Sequence, residues 1–135
     1  MGLYTVSFQS NGGPMTSSYD QEPIVELSHW SVYEVPLYGV DAPWTRHFVG
    51  FVEELGIAQV SSAILMFDRQ HGVGASASHR VFQLEGHSGQ HPMCTQIWER
   101  WKLLNDVHLD RDITPGYFKP TRTLLTRVTQ HPSTP

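Results

Sequence analysis

Two strand-like stretches carry apolar residues on both of their faces, while only one segment of the chain has the spacing of an amphipathic helix. Side chains alternate across a strand. In residues 59–67 this puts Val60, Ile64 and Met66 on one side and Ala63, Leu65 and Phe67 on the other. Residues 47–52 behave alike, with Val49 and Phe51 opposed to Phe48, Gly50 and Val52. A sheet with one wet face reads as apolar–polar alternation, which neither stretch shows. Both faces therefore need cover, from a curled sheet, from the terminal segments or from another subunit. A symmetric homodimer is the commonest way to supply the last, so self-association is expected.

The helix is predicted over residues 92–106. Met93, Cys94, Ile97, Trp98, Trp101 and Leu104 fall on one stripe, with Thr95, Glu99 and Lys102 opposite. Pro92 suits a first helical turn, where its missing N–H costs nothing. Strands are expected at 3–8, once or twice within 24–38, and at 47–53, 59–67 and 80–85. Pro36 favours a strand end or an edge. The segment 68–77, with Gly72 and Gly74, reads as a connection, and 117–128 as a last strand. Short connections imply antiparallel neighbours. The expectation is an α+β fold: a mainly antiparallel meander of four to six strands, with the helix packed on it through Ile97, Trp98 and Trp101. Residues 1–135 form one domain, with a flexible glycine-rich loop at 9–21 and a frayed end at 130–135.

A formal charge of −4 and scattered basic residues argue against a nucleic-acid partner. The single Cys94 excludes an intrachain disulfide and fits a reducing compartment. No signal-peptide pattern is present, and the longest apolar run, 63–67, is too short to span a bilayer. A cytoplasmic protein without a membrane partner is expected.

Chemistry is best sought in the strand-to-helix loop, residues 86–92. Its glycines let backbone N–H groups converge at a helix N-terminus, which can hold a phosphate or carboxylate. Arg80, His87, Ser88, Gly89 and His91 are the candidate ligand-binding residues. The same glycines also serve any strand-to-helix corner. Cys94 lies in the first helical turn near His91, but it falls on the apolar stripe and reads as a buried, inert thiol. His108, Asp110 and Asp112 would share one side of an extended segment, but a solvated loop after the helix is the better account of them. No CxxC, HExxH, EF-hand, P-loop or GxGxxG pattern occurs, so no catalytic residues, metal or cofactor are assigned. Trp30, Tyr33, Trp44, Trp98 and Trp101 could line a ligand cavity, with Trp98 and Trp101 more naturally packed on the sheet.

Ser61-Ser-Ala-Ile-Leu-Met-Phe-Asp68, Ser78-His-Arg-Val-Phe-Gln-Leu-Glu-Gly86 and Ile97-Trp-x-x-Trp101 carry a resemblance. Over residues 45–107 the chain resembles a group of small bacterial proteins of mobile DNA (integron gene cassettes, plasmids and phage). These read S-S-A-I-x-x-[FY]-D, S-x-R-V-[YF]-x-L-x-G and V-W-x-x-W. His79 stands where the group has glycine, and Gly89-Gln-His-Pro92 replaces a proline–glycine turn. No activity carries over, so the resemblance implies a shared fold and a mobile origin. The expectation is a non-enzymatic accessory binding protein, homo-oligomeric, acting on a host protein or a small ligand. A small enzyme or ligand-binding domain with an anion site at 86–92, and an inhibitor of a host defence or regulatory protein, are the alternatives.

Overall fold

One long strand, β1 (Ile24–Val35), organises the others. It is rich in β-branched and aromatic residues and stops at Pro36, which has no N–H for a ladder. The computed structural model describes residues 24–120. The strand expected at 3–8, the loop at 9–21, most of the strand at 117–128 and the end at 130–135 lie outside them. Within β1, His29 has a positive φ of 49° and the pairing slips between Ser28 and Ser31, so a bulge bends the strand. Before the bend, Ile24 to Leu27 pair in parallel with β6 (Val81–Leu84). After it, β1 pairs antiparallel with β2 (Thr45–Val52), and Tyr33 and Glu34 also pair with β7 (Arg111–Asp112).

β2 continues antiparallel to β3 (Ile57–Val60), and β4 (Ile64–Asp68), β5 (Val73–Ser76) and β6 form a second antiparallel run. The sheet order is β3-β2-β1-β6-β5-β4, so two meanders are joined by one parallel pair. The fold is α+β and mostly antiparallel, with a single helix among the described residues, α1 (Pro92–Leu104). The strands on this path reach the top of the expected number, and the two-residue β7 is added to them.

Three local expectations are corrected. Residues 59–67 are not one strand but β3 and β4, at opposite ends of the sheet. Ser61 makes the break: its N–H donates to the Phe48 carbonyl (2.9 Å), and its hydroxyl accepts from the Phe48 N–H (2.9 Å) and donates to the Ser62 carbonyl (2.7 Å). A side chain thus takes over part of the ladder and frees the chain to turn. The segment 68–77 holds β5; its Gly72 (φ 68°) is a turn residue, whereas Gly74 lies within the strand. The stretch after the helix is not solvated loop. Asp106 turns the chain with φ 57°, β7 docks on β1, the Ile113 N–H donates to Val32 (2.9 Å), and a 3-10 helix follows at Thr114–Tyr117.

For β2 the cover that a two-faced strand requires is found within the chain. His47, Phe48, Val49 and Gly50 are buried in succession, so both faces of β2 are inside. On one face Phe48 and Val52 pack with Leu27, Trp30, Phe82 and Tyr117, where the second meander and the 3-10 helix curl over. On the other, Val35 and Val49 meet Cys94, Trp98 and Val107 beneath α1. Trp98 stacks on Tyr33 (centroids 4.8 Å, 13°) and on Trp101 (5.1 Å, 10°), while Ile97 and Trp101 are half-buried. The ends of the predicted stripe fall away from the core, with Met93 40% and Leu104 77% exposed.

Candidate functional site

Ile97, Arg100, Trp101 and Leu104 recur at three- and four-residue spacing, so they share one face of α1. That face does not lie flat on the sheet. It forms one wall of a slot of about 570 Å³. The second wall is β3, from Ile57 through Val60. Consecutive residues of a strand point to opposite faces. All of β3 can line one cavity only if that cavity runs along the strand's edge, and β3 is the end strand of the sheet order. The far side is formed by Phe82 of β6 and by Ser78 and Arg80 of the β5–β6 turn.

The slot is closed off by serine contacts. Ser62 Oγ donates to Ser78 Oγ (3.1 Å), the Ser78 N–H donates to Ser62 Oγ (3.0 Å), and the Ala77 N–H donates to the Ala63 carbonyl (2.8 Å). These bonds tie the β3–β4 link to the β5–β6 turn. His79 completes that turn with φ 68°, a conformation glycine adopts without strain.

The walls are mainly apolar: Ile57, Val60, Phe82, Ile97, Trp101 and Leu104. Among the described residues, the charged side chains lining the slot are Arg80 and Arg100, and none is a carboxylate. Beneath Trp101 lies His47, 1% exposed, with ring centroids 4.7 Å apart. Its Nδ1 bonds to the Ser61 carbonyl and its Nε2 to Thr45 Oγ1, both at 2.8 Å. A carbonyl can only accept, so Nδ1 carries the proton and Nε2 accepts from the threonine. Burial pushes the His47 pKa below the ordinary histidine value, opposed by the bond to Ser61. The ring is a neutral, fully bonded support for the tryptophan wall.

The residues singled out in the sequence are divided between two places. Arg80 lines the slot. Gly89 and His91 instead line a crevice of about 10 Å³ that shares no residue with it, a volume fit for one water. The 86–92 loop is bound to β1: Trp30 Nε1 donates to the Gly86 carbonyl (3.3 Å), the Gly89 N–H donates to the Trp30 carbonyl (3.2 Å), and Ser31 Oγ donates to the Gly89 carbonyl (3.4 Å). His91 caps α1, its Nδ1 accepting from the Met93 N–H (3.1 Å), and its ring stacks on Phe51 (4.3 Å). His87 is exposed and Ser88 half-buried.

Cys94 is buried under the helix, and burial raises its pKa. His108, Asp110 and Asp112 do not converge. Asp110 Oδ2 accepts from Trp98 Nε1 (2.8 Å) and Lys102 Nζ (3.0 Å), Asp112 accepts from the Thr114 N–H (2.9 Å), and His108 meets Asp106 (3.1 Å). Among the described residues no group of three or more His, Cys, Asp or Glu is placed to hold a metal ion, and no helix is long and apolar enough to cross a membrane. Arg100 and the edge of β3 were not singled out in the sequence. An arginine inside an otherwise apolar 97/101/104 spacing was the available signal. Comparison with protein-family models, curated proteins and solved structures gives no match.

Proposed function

We propose that the protein is a non-enzymatic binding protein whose slot takes a ligand with an apolar body and an anionic head. The observation that carries this is a slot of about 570 Å³ with apolar walls in which, among the described residues, the charged lining side chains are the exposed Arg100 and Arg80 of the β5–β6 turn. Ligand sites of about 300–1,000 Å³ are commonly apolar with a few polar groups that fix orientation. The buried histidine and thiol whose pKa values burial shifts, His47 and Cys94, lie outside the lining, which favours binding over catalysis. An accessory role for a mobile element, in the cytoplasm, is the biological setting this reading fits.

Titration with decanoate tests it, followed by tryptophan fluorescence and calorimetry. Saturable binding is expected, at least tenfold weaker for decanol and for Arg100→Ala; Arg100 is exposed, so that variant keeps the fold. Absence of saturable decanoate binding overturns the reading. Self-association has its own support at the other end of the sheet, where β4 is the last strand and Leu65 and Met66 are 70% and 65% exposed. An end strand of this kind is a template for pairing with a second copy.

A further inference from the structure

We propose, resting on the slot reading, that the body of the ligand is a planar aromatic ring that packs against Trp101, with its anionic group at Arg100.

Stacked rings supply the first ground. Tyr33 lies on Trp98 with centroids 4.8 Å apart and an interplanar angle of 13°, and Trp98 lies on Trp101 at 5.1 Å and 10°. Three nearly parallel rings follow one another, and Trp101, the last, lines the slot. The series is held at its middle, where Trp98 is buried and its Nε1 donates to Asp110 (2.8 Å). His47 supports Trp101 from a second direction, at 4.7 Å and a tilt of 51°. The indole is therefore fixed before a ligand arrives, which lowers the ordering cost of packing a rigid ring on it. Aromatic pairs favour offset-stacked and edge-to-face arrangements alike, so the indole recognises a ring with its face or with its rim. A flexible alkyl chain gains burial from the same wall but neither arrangement, and it loses rotamer freedom on entry.

The second ground is a pair of unused donors within an apolar frame. Ile97 and Leu104 lie four residues before and three after Trp101, so they flank it on the slot face of α1. The indole N–H groups of Trp30 and Trp98 have acceptors in the Gly86 carbonyl and Asp110, whereas Trp101 Nε1 has none among the described residues. Arg100 is exposed, and its guanidinium has no ion pair or hydrogen bond among the described residues. Arg80 is already engaged, so Arg100 is the cation this reading uses. A carboxylate carried by the ring supplies the acceptor that the indole N–H and the guanidinium lack.

The probes are 2-naphthoate and its saturated counterpart, decahydro-2-naphthoate, each titrated into the full chain by calorimetry. They share a charge and a bicyclic frame and differ in aromaticity. Naphthoate is expected to bind saturably and about fivefold tighter, the scale of an aromatic pair's preference beyond burial. Trp101→Phe keeps that preference and Trp101→Leu abolishes it. In the wild type, nuclear Overhauser contacts join the naphthoate protons to the Trp101 indole, which decides the matter even where the leucine variant does not fold. If decanoate binds and the two bicyclic acids bind alike, the ring assignment falls and the slot reading stands. Naphthoate bound without contacts to Trp101 overturns the placement. If a second copy or another part of the chain fills the slot, neither decanoate nor naphthoate binds, and both readings fall.

Discussion

Phe48 dictates what its neighbours can be. Its ring lies against Phe67, Phe82 and Tyr117, and a Cβ on Gly74 would stand 2.5 Å from its Cζ. Gly74→Ala is therefore expected to destabilise by about 1–3 kcal/mol, the usual effect of overpacking a core. A urea midpoint equal to that of the wild type would show that the ring yields. His47 gives a pH signature. Its folded pKa is depressed, so the unfolded chain binds the proton more readily, and the stability held in its neutral form is complete above the unfolded value of about 6.5. That stability is lost as pH falls from there through the folded pKa. The pH dependence of unfolding free energy in this window should shrink in His47→Asn, and equal slopes in the two proteins would exclude it as the source. Cys94, buried and with a raised pKa, should react with a thiol reagent only as fast as the helix opens. Stoichiometric labelling within seconds in the folded protein at neutral pH would contradict that.

At the scale of elements, α1 is fixed by its tryptophans and by the segment that follows it. Trp98 is buried, stacks on Tyr33, and donates from Nε1 to Asp110, which Lys102 also holds. Burial opposes ionisation of both partners, yet the bonds from Trp98 and Lys102 keep the Asp110 carboxyl below its ordinary pKa, and those to Asp110 and Glu99 keep the Lys102 ammonium above its own. Trp98→Ala should cost about 3–5 kcal/mol, the range for truncating a large buried aromatic, measured by thermal or chemical unfolding. The helix was legible because one face repeats at helical spacing and Pro92 marks its start. The two buried faces of β2 were legible because apolar residues run through both phases of its alternation, whereas the same pattern in 59–67 misled. The break at Ser61 was not, because a serine hydroxyl replacing a ladder bond leaves no periodic trace. β5 was hidden by Gly74, whose reason for being glycine is Phe48, distant in sequence. The same limit applied to the site: Arg80 was visible as a candidate, but its companions come from α1 and β3, which only the folded chain brings to it.

For the whole molecule, the question of cover is answered at β2 by curvature, while at the β4 end Leu65 and Met66 stay exposed among the described residues. If copies pair there, Leu65→Lys should shift the protein toward monomer in sedimentation at micromolar concentration, with little effect on unfolding because Leu65 is exposed. A wild type that sediments as a 15.3 kDa species at every concentration would rule the pairing out. The parallel register of β1 with β6 bears on the history of each molecule as well as its final form. Ile24 must wait for Val81 to be synthesised before it can pair. At about 5–20 residues per second, that delay lasts several seconds. During it β2 lacks Phe82 and Tyr117, which pack on Phe48 in the folded chain. Nascent chains are thus most vulnerable to aggregation in this interval, and a pause in translation between the two meanders would lengthen the exposure.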